Sequence, residues 1–292
     1  MNIQKSYQGT KTLGTLYLVA TPIGNLEDMT IRAIRILKEV DLIAAEDTRN
    51  TRKLLTHFDI KTRLVSYHEH NKEASGPELI KLLIEGKHIA LVSDAGLPAI
   101  SDPGADIARM AIEEHIAVVP IPGANAALSS LIVSGLSTDR FTFIGFLPRD
   151  KKNTQQLLEQ YRTYRETFIF YESPHRIRKT LAALLEVWGD RQASISRELT
   201  KKHEEMVRGR LTELIAHFDE NQPLGEFCII VEGLDEEGAD QLKQEANSWW
   251  QRLSIEEHVS YYEATMSRKA AMKQVALDRG LSKRDIYNEV NR

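Results

Sequence analysis

Short hydrophobic runs alternate with amphipathic stretches from Leu16 onward. Runs of four or five apolar residues between turn residues are typical of strands, whereas apolar positions three and four apart indicate helices. The predicted strands are LYLVA, DLIAAE, RLVSY, HIALVS and AVVPI, and the helices are MTIRAIRILKEV, TRNTRKLLTHF, SGPELIKLLIEG, GADIARMAIEEH and ANAALSSLIVSG. Strands and helices that alternate through short turns indicate a largely parallel sheet covered on both faces. We therefore predict an N-terminal α/β domain over residues 14–146.

A second α/β pattern follows the segment FTFIGFLPRDKKN, where Pro148 and a basic polar run interrupt the periodicity. Its predicted strands are TFIFYE, QASISREL, EFCIIVEG and a weaker candidate, EEMVRGR, and its predicted helices are RIRKTLAALLEVW and LTELIAHF. We assign this domain to residues 147–234.

The acidic segment LDEEGADQ (234–241) predicts a linker to a C-terminal helical domain at 240–292. Within that domain Ala276, Gly280 and Ile286 have the spacing of a helix-turn-helix, and Ser282 is the expected N-cap of the second helix. Seven Lys or Arg against three Asp or Glu make residues 267–292 locally +4. A small helical hairpin that packs on the body or on a second subunit is an equally weighted alternative.

Composition narrows the possible functions. The 292 residues are 42% hydrophobic and 27% charged, which is typical of globular proteins. Because the net charge is −4, any nucleic-acid partner must be met by local basic patches. The single cysteine, Cys228, cannot form an internal disulfide or a cysteine-rich zinc site, so we expect a cytoplasmic protein and no metal. The apolar runs are of strand length and the N-terminus has no signal-peptide pattern, so neither a membrane segment nor export is expected.

Candidate chemistry lies in the loops after the predicted strands, because ligands of open α/β sheets bind at the carboxyl ends of strands. The first loop has the single glycine Gly24, so a dinucleotide fingerprint is missing, as is a P-loop. SDAGLPAISDPG (93–104) combines close-approach glycines and stiffening prolines with Asp94 and Asp102, which favours a ligand loop. A pair of Asp-capped turns is the alternative interpretation.

The strand-end motifs together carry a family resemblance. They are LYLVATPIGNLEDMT, AAEDTRNTRKLL, VSDAGLPAISDPG, PIPGANAALSSL, GFLPR, FYESPHRI, SRELTKKHEE and GEFCIIVEG, over about residues 14–233. In this order they resemble the tetrapyrrole-methylase class (class III) of S-adenosylmethionine-dependent methyltransferases, and most of all its branch that acts on ribosomal RNA. The resemblance implies two α/β domains with S-adenosylmethionine in the cleft between them, a homodimer, and a small helix-turn-helix-like C-terminal domain. It also implies 2′-O-methylation of a cytidine ribose in the decoding region of 16S ribosomal RNA in the small subunit.

Carried over by motif position, the resemblance implies a set of donor-binding residues. They are Ile23, Asp94, Ala95, Gly96, Leu97, Pro98, Asn125, Ala126, Phe170, Tyr171, Leu199 and Thr200. Because a ribose hydroxyl is a poor nucleophile at neutral pH, loss of its proton must be assisted by a base or by electrostatic stabilisation. The unranked candidates are Glu172, His175 and Glu198, with Lys201, His203 and Glu204 nearby.

Each catalytic candidate has a structural alternative. Glu172 and Arg176 are four residues apart and can form an ion pair. His175 can cap or pack at a helix start, Glu198 can pair with Arg197, and residues 201–205 can form a solvated turn.

RNA binding requires cations along one rim of the protein. The candidates are Arg49, Arg52, Lys53, Arg149, Arg176, Lys201, Lys202, Lys283 and Arg284. Two other functions remain open at this point: methylation of a tetrapyrrole or another small molecule, and a helix-turn-helix regulator whose body senses a ligand.

Overall fold

The computed structural model describes residues 3–4, 12–236, 238–239, 250 and 253–290. The chain forms two compact units, Met1–Gly233 and Leu234–Arg292. Part of the predicted linker (237, 240 and 241) and the tail residue at position 292 lie outside the described residues.

The first sheet has the strand order β3-β2-β4-β1-β5, and all neighbouring strands are parallel. Its elements are β1 Thr15–Val19, α1 Ile31–Glu39, β2 Leu42–Ala45, α2 Thr48–His57, β3 Arg63–Ser66, α3 Lys72–Ile84, β4 Ile89–Val92, α4 Gly104–Glu113, β5 Ala117–Ile121 and α5 Ala126–Ser134. Alternate residues of β2 enter two different cores, Leu42 and Ala44 on one face and Ile43 and Ala45 on the other. The predicted parallel sheet with two covered faces is confirmed.

The second sheet has the order β6-β7-β10-β8-β9. Only the β6–β7 pair is parallel among the described strands of this sheet. Its elements are β6 Phe141–Phe146, α6 Lys151–Tyr161, β7 Thr167–Glu172, α7 Ile177–Trp188, β8 Gln192–Arg197, β9 Glu205–Arg210, α8 Leu211–Glu220 and β10 Phe227–Val231. Phe168, Phe170 and Trp188 lie in the core between this sheet and its helices.

Two features of this region differ from the prediction. The predicted border at residue 146 assigned β6 to the N-terminal domain, but β6 pairs with β7 and belongs to the second sheet. Helix α6 is not among the predicted elements, and its first three residues belong to the basic polar run of the segment 141–153. Asp150 caps the helix by accepting a hydrogen bond from the Asn153 amide at 2.9 Å. Thr154 and Leu158, one turn apart on α6, are buried.

Helix α5 follows the last strand of the first sheet but packs on the second. Its residues Ala127 and Leu131 form a core with Ile169, Cys228 and Ile230. The N-terminus of α5 therefore stands between the strand ends of the two sheets.

The C-terminal unit contains α9 Ile255–Glu263, α10 Arg268–Arg279 and α11 Lys283–Val290. Gly280, with φ of 64°, ends α10, and the Ser282 hydroxyl accepts a hydrogen bond from the Asp285 amide at 3.1 Å. Ala276 and Ile286 are buried in the core of this unit, so the predicted helix-turn-helix spacing is confirmed. Across the described ranges, no helix has the length and apolar character that crossing a membrane requires.

Candidate active site

A cavity of about 460 Å³ lies where the strand ends of the two sheets meet. Its volume falls in the range of about 300–1,000 Å³ that is typical of small-molecule sites. The lining residues are Ile23, Ala95, Gly96, Leu97, Ile100, Asn125, Ala126, Phe146, Tyr171, Glu172, Ser173, Pro174, Ser196, Leu199, Lys201, Glu226, Phe227 and Cys228.

Most of the predicted donor residues line this cavity. They are Ile23, Ala95, Gly96, Leu97, Asn125, Ala126, Tyr171 and Leu199. Asp94, Pro98, Phe170 and Thr200 are not among the lining residues. The structure corrects the prediction for Phe170, whose side chain is 1% exposed and packs at 5.8 Å from the Trp188 ring. Successive side chains of a strand point to opposite faces, so Phe170 and Tyr171 cannot both face the cavity.

The other predicted donor residues outside the lining support its loops. Asp94 accepts a hydrogen bond from the Asp47 amide at 3.0 Å and so ties the loop after β4 to the start of α2. Pro98 is buried, and the Thr200 hydroxyl is buried without a hydrogen-bond partner in the described part of the chain.

Close contacts join two loops of the first sheet to each other and one of them to a loop of the second sheet. Thr21 and Gly96 exchange backbone hydrogen bonds of 2.9 and 3.1 Å, and Gly96 has a φ of 78° that favours glycine. A Cβ at Gly24 would lie 2.4 Å from Lys201 Cγ and 2.8 Å from Thr200 Oγ1. Only glycine therefore allows the loop after β1 to meet the loop after β8 without displacing it.

Asp102 caps a turn, as the alternative interpretation of its loop expects. Its carboxylate accepts hydrogen bonds from the amides of Ala99 at 2.9 Å and Gly104 at 2.7 Å, and so caps the turn before α4. Ala99 and Ser101 have φ values of 70° and 63°, which are uncommon for residues with a side chain. Strained backbone of this kind is concentrated at ligand loops, which supports a ligand role for the loop itself.

Tyr171 connects the second sheet to the start of α5. Its hydroxyl accepts a hydrogen bond from the Ala127 amide at 3.1 Å, and burial raises its pKa to about 12. The Asn125 side chain accepts from the Leu128 amide at 2.9 Å. Once these two bonds are made, the Ala126 amide is the N–H group in the first turn of α5 that has no hydrogen-bond partner among the described residues. Ala126 lines the cavity.

Glu172 belongs to a buried network. Its side chain is 1% exposed, and it accepts hydrogen bonds from Thr180 Oγ1 at 2.5 Å and from the Ser173 amide at 2.8 Å. Arg176 lies 3.5 Å from the same carboxylate and donates to the carbonyls of Leu147 and Pro148. The alternative interpretation of Glu172 and Arg176 as an ion pair is thus confirmed.

His175, the second catalytic candidate, is exposed and does not line the cavity. Its position between Pro174 and the start of α7 brings no atom of the ring into the cavity wall.

Lys201 lies between two carboxylates at the cavity. Its Nζ is 2.9 Å from Glu198 Oε1 and 2.9 Å from Glu226 Oε2, and the Glu226 amide donates to Glu198 Oε1 at 3.0 Å. Burial alone would lower the pKa of Lys201, but its hydrogen bonds to Glu226 and Glu198 outweigh burial and raise it. Burial alone would raise the pKa of Glu198, but Lys201 and the Glu226 amide lower it. Arg197 forms its ion pair with Glu205 at 3.1 Å rather than with Glu198, although its charge contributes to the lowered pKa of Glu198.

The predicted RNA-binding cations differ in their exposure and in whether their charge is already paired within the protein. Arg52, Lys53, Arg149, Lys202, Lys283 and Arg284 are exposed. Arg49 is also exposed, and its guanidinium pairs with Asp47 at 3.0 Å, which lowers the pKa of Asp47 to about 2. Arg176 is held by its network, and Lys201 by its two carboxylates.

Several lining residues were not predicted, chiefly Ile100, Phe146, Ser196, Glu226 and Cys228. Period-two alternation in QASISREL places Ser194 and Ser196 on one strand face, a signal that could have identified Ser196. The Ser196 hydroxyl is buried and has no hydrogen-bond partner in the described structure. Apolar walls with this hydroxyl and the Ala126 amide fit a ligand that carries a heterocycle, ribose hydroxyls and a carboxylate, as S-adenosylmethionine does.

Comparison with known proteins identifies the family. The model of the Tetrapyrrole (Corrin/Porphyrin) Methylases matches residues 15–215. A Ribosomal RNA small subunit methyltransferase I of Halalkalibacterium halodurans is 59% identical over 99% of this chain and 98% of its own length. Proteins of the same name from Bacillus subtilis (52% identity, 98% of this chain and 97% of theirs) and Synechocystis (47%, 94% and 96%) are also similar.

Solved structures share the fold at low sequence identity. Diphthine synthase superposes with a TM-score of 0.60 at 16% identity, covering 80% of this chain and 95% of its own. A uroporphyrin-III C-methyltransferase from Thermus thermophilus, complexed with S-adenosylhomocysteine, gives a TM-score of 0.54 at 20% identity, covering 74% and 97%. These likenesses confirm the predicted two-sheet fold of the tetrapyrrole-methylase class. The chain therefore belongs to the tetrapyrrole methylase family and, within it, to the ribosomal RNA small subunit methyltransferase I proteins.

Proposed function

We propose that this protein methylates the 2′-oxygen of a cytidine ribose in the decoding region of 16S ribosomal RNA. Its family membership makes it an S-adenosylmethionine-dependent methyltransferase of small-subunit ribosomal RNA. The near full-length identity of 59% to a ribosomal RNA small subunit methyltransferase I supports the RNA substrate. The choice of a cytidine 2′-oxygen rests on the motif resemblance, and several residues of those motifs line the cavity.

The donor site is proposed at the cavity wall. S-adenosylmethionine, when bound, supplies a methyl group on a positively charged sulfur. The backbone around Gly96 and the Ala126 amide offer polar groups, and Ser196 offers a buried hydroxyl. Tyr171, a neutral phenol whose pKa is raised further by burial, gives a flat wall without a charge. A wall that holds both reactants in line accounts for much of the rate of a displacement reaction.

Proton acceptance is proposed for Glu226 with Lys201, rather than for Glu172 or His175. Glu226 lines the cavity, its side chain is 81% exposed, and Lys201 occupies its Oε2. Glu172 has both oxygens engaged away from solvent. Loss of a positioned general base typically lowers the rate by about 10²–10⁴-fold. We therefore expect Glu226→Gln to lower kcat within that range with an unchanged donor Kd. Glu205→Gln, on the edge strand β9 and outside the cavity lining, should leave kcat unaltered.

Dimer formation and a cytoplasmic location complete the proposal. Leu128 and Ile132, one turn apart on α5, are exposed apolar side chains that a second copy would cover. A ribosomal substrate and a single buried thiol support the cytoplasm. Sedimentation equilibrium of the full chain tests the dimer, and a monomer at micromolar concentration would contradict it.

The function is tested with a radiolabelled donor and three acceptors: purified small subunits, naked 16S RNA and a tetrapyrrole pool. We expect label in RNA, and 2′-O-methylcytidine after digestion to nucleosides and mass spectrometry. Label in a base-methylated nucleoside would refute the 2′-oxygen, and label only in the tetrapyrrole would refute RNA as the substrate. The subunit and naked-RNA arms also show which form of the RNA is accepted.

A further inference from the structure

A large aromatic side chain is exposed at the rim of the cavity. Phe146, the last residue of β6, is 56% exposed and lines the cavity. Phenylalanine is usually buried, and an exposed apolar residue at a ligand cavity marks a contact surface more often than a solvated one.

A β-bulge turns Phe146 toward the cavity. In the pairing of β6 with β7, Phe143 lies opposite Ile169, whereas Gly145 lies opposite Phe170, so that Ile144 is an extra residue. Gly145 has a φ of 73°, which favours glycine. In a regular strand Phe146 would share the face of Ile144, which packs on the interior core. Bulges beside active sites commonly redirect a side chain in this way.

The ring of Phe146 is fixed along one edge. Its centroid lies 5.8 Å from that of Tyr171 at an interplanar angle of 62°, and Phe143 packs against Tyr171 from 5.1 Å. Because the Ala127 amide donates to the Tyr171 hydroxyl, this aromatic group is anchored to α5. The exposed part of Phe146 is therefore a preformed apolar surface.

The Gly/Pro loop supplies a second apolar side chain at the same rim. A Cβ on Gly145 would lie 3.3 Å from Ser101 Oγ, so this loop passes directly beside the bulge. Ile100, next to Ser101, is 41% exposed and lines the same cavity. Arg149, three residues beyond Phe146, is exposed and carries the charge that would hold a phosphate.

We propose that Phe146 is the platform on which the base of the target nucleotide stacks, with Ile100 at its side, while the ribose enters the cavity. The proposal rests on RNA being the substrate. Sequence-specific recognition of RNA targets mostly single-stranded positions, whose splayed bases are commonly held on aromatic rings. Every base has a flat face, so stacking holds the nucleotide without reading its sequence. The base of a nucleotide fits the apolar surface of Phe146, and its phosphate fits the nearby cation Arg149.

Variants at Phe146 test the platform through kcat/KM for the 16S RNA. Phe146→Leu keeps an apolar side chain without a flat ring, and we expect a fall of about 5- to 150-fold, the range that loss of one base–aromatic stack gives. Phe146→Trp should stay within about threefold, because it keeps the ring. Phe141→Leu, at the other exposed end of β6, is the matched control and should equal the wild type.

A second measurement needs no methyl donor. 16S RNA fragments with 5-iodocytidine at the methylated position form photo-crosslinks to a stacked aromatic ring, and peptide mass spectrometry identifies the residue. We expect the crosslink on Phe146, and its loss in Phe146→Leu.

Three results would overturn the platform while leaving RNA methylation intact. They are unchanged kcat/KM in Phe146→Leu, a fall in donor affinity equal to the fall in activity, and dissociation of a dimer in that variant. Equal losses of donor affinity and activity would place Phe146 in the donor site. Dissociation of a dimer would place it at a contact between subunits. A wild-type protein that methylates no RNA would refute both the proposed function and this inference. The three results above refute the inference alone, so the two failures are distinguishable.

Discussion

Replacement of Glu172 by alanine should lower the stability of the folded protein and should not directly stop methyl transfer. The change removes a carboxylate whose side chain is 1% exposed and leaves the Thr180 hydroxyl and the Ser173 amide without an acceptor. Arg176 also loses its counter-ion at 3.5 Å. Breaking a buried pair costs about 3–5 kcal/mol, because the remaining polar groups stay desolvated and unpaired. For a unit of this size that cost lowers Tm by about 6–20 °C.

Differential scanning calorimetry and urea unfolding of the donor-free protein measure this effect. Thr180→Val is the matched partner variant, since it keeps the shape of the side chain and removes the donor. The double variant Glu172→Ala with Thr180→Val should cost less than the sum of the two, because both changes act on one network.

A different outcome would refute this role of Glu172. If Glu172→Ala melts within 2 °C of the wild type, and turnover of the fully folded variant still falls 100-fold, the carboxylate acts in the reaction. These thresholds lie below the smallest expected loss of Tm and at the lower end of the effect of a lost general base.

Three further predictions concern the loops, the buried thiol and the RNA surface. Gly24→Ala places a methyl group 2.4 Å from Lys201 Cγ and should lower the free energy of unfolding, measured in urea, by about 1–3 kcal/mol. Burial raises the pKa of the Cys228 thiol to about 12, so at pH 8 we expect iodoacetamide to alkylate native protein at least about 100-fold more slowly than urea-unfolded protein. Arg52→Ala and Lys53→Ala should each reduce the slope of log K for RNA against log salt by about 1.

Their controls and contradicting results are specific. If Gly24→Ala has the same free energy of unfolding as the wild type, the loop after β8 moves aside at no cost. Rapid native alkylation that Cys228→Ser abolishes would show an open route to the thiol. Arg176→Ala is the comparison for the salt slopes: its guanidinium binds backbone carbonyls, so it should lower Tm and leave the slope unchanged.

Local pattern predicted the elements well, because periodicity reports which face of a strand or helix is buried. It did not predict to which sheet β6 belongs, since that depends on backbone pairing with β7 some twenty residues later. Helix α6 as a whole is absent from the predicted elements, because it begins with the polar residues Lys151, Lys152 and Asn153 directly after the proline-containing segment.

Motif position predicted loops that line the cavity, but not which of their side chains face it. Phe170 and Tyr171 are adjacent in the motif, yet one belongs to the core and the other to the cavity, as strand alternation requires. Phe146 could not be predicted from alternation, because the bulge at Gly145 reverses its face. Glu226 is not among the predicted residues, because it precedes a buried strand and meets Lys201, which lies on another loop, only in the folded chain.

The packing of α5 has a consequence for how the chain is made. The ribosome delivers α5 directly after the first sheet, but the partners of Ala127 and Leu131 are on β7 and β10. Until β7 and β10 have both emerged, the core that buries the apolar side of this helix is incomplete, whereas α1 to α4 already cover both faces of the first sheet. We therefore expect the nascent protein to complete its first sheet before the cavity forms, and a chain truncated before β7 to expose the apolar side of α5 and to aggregate.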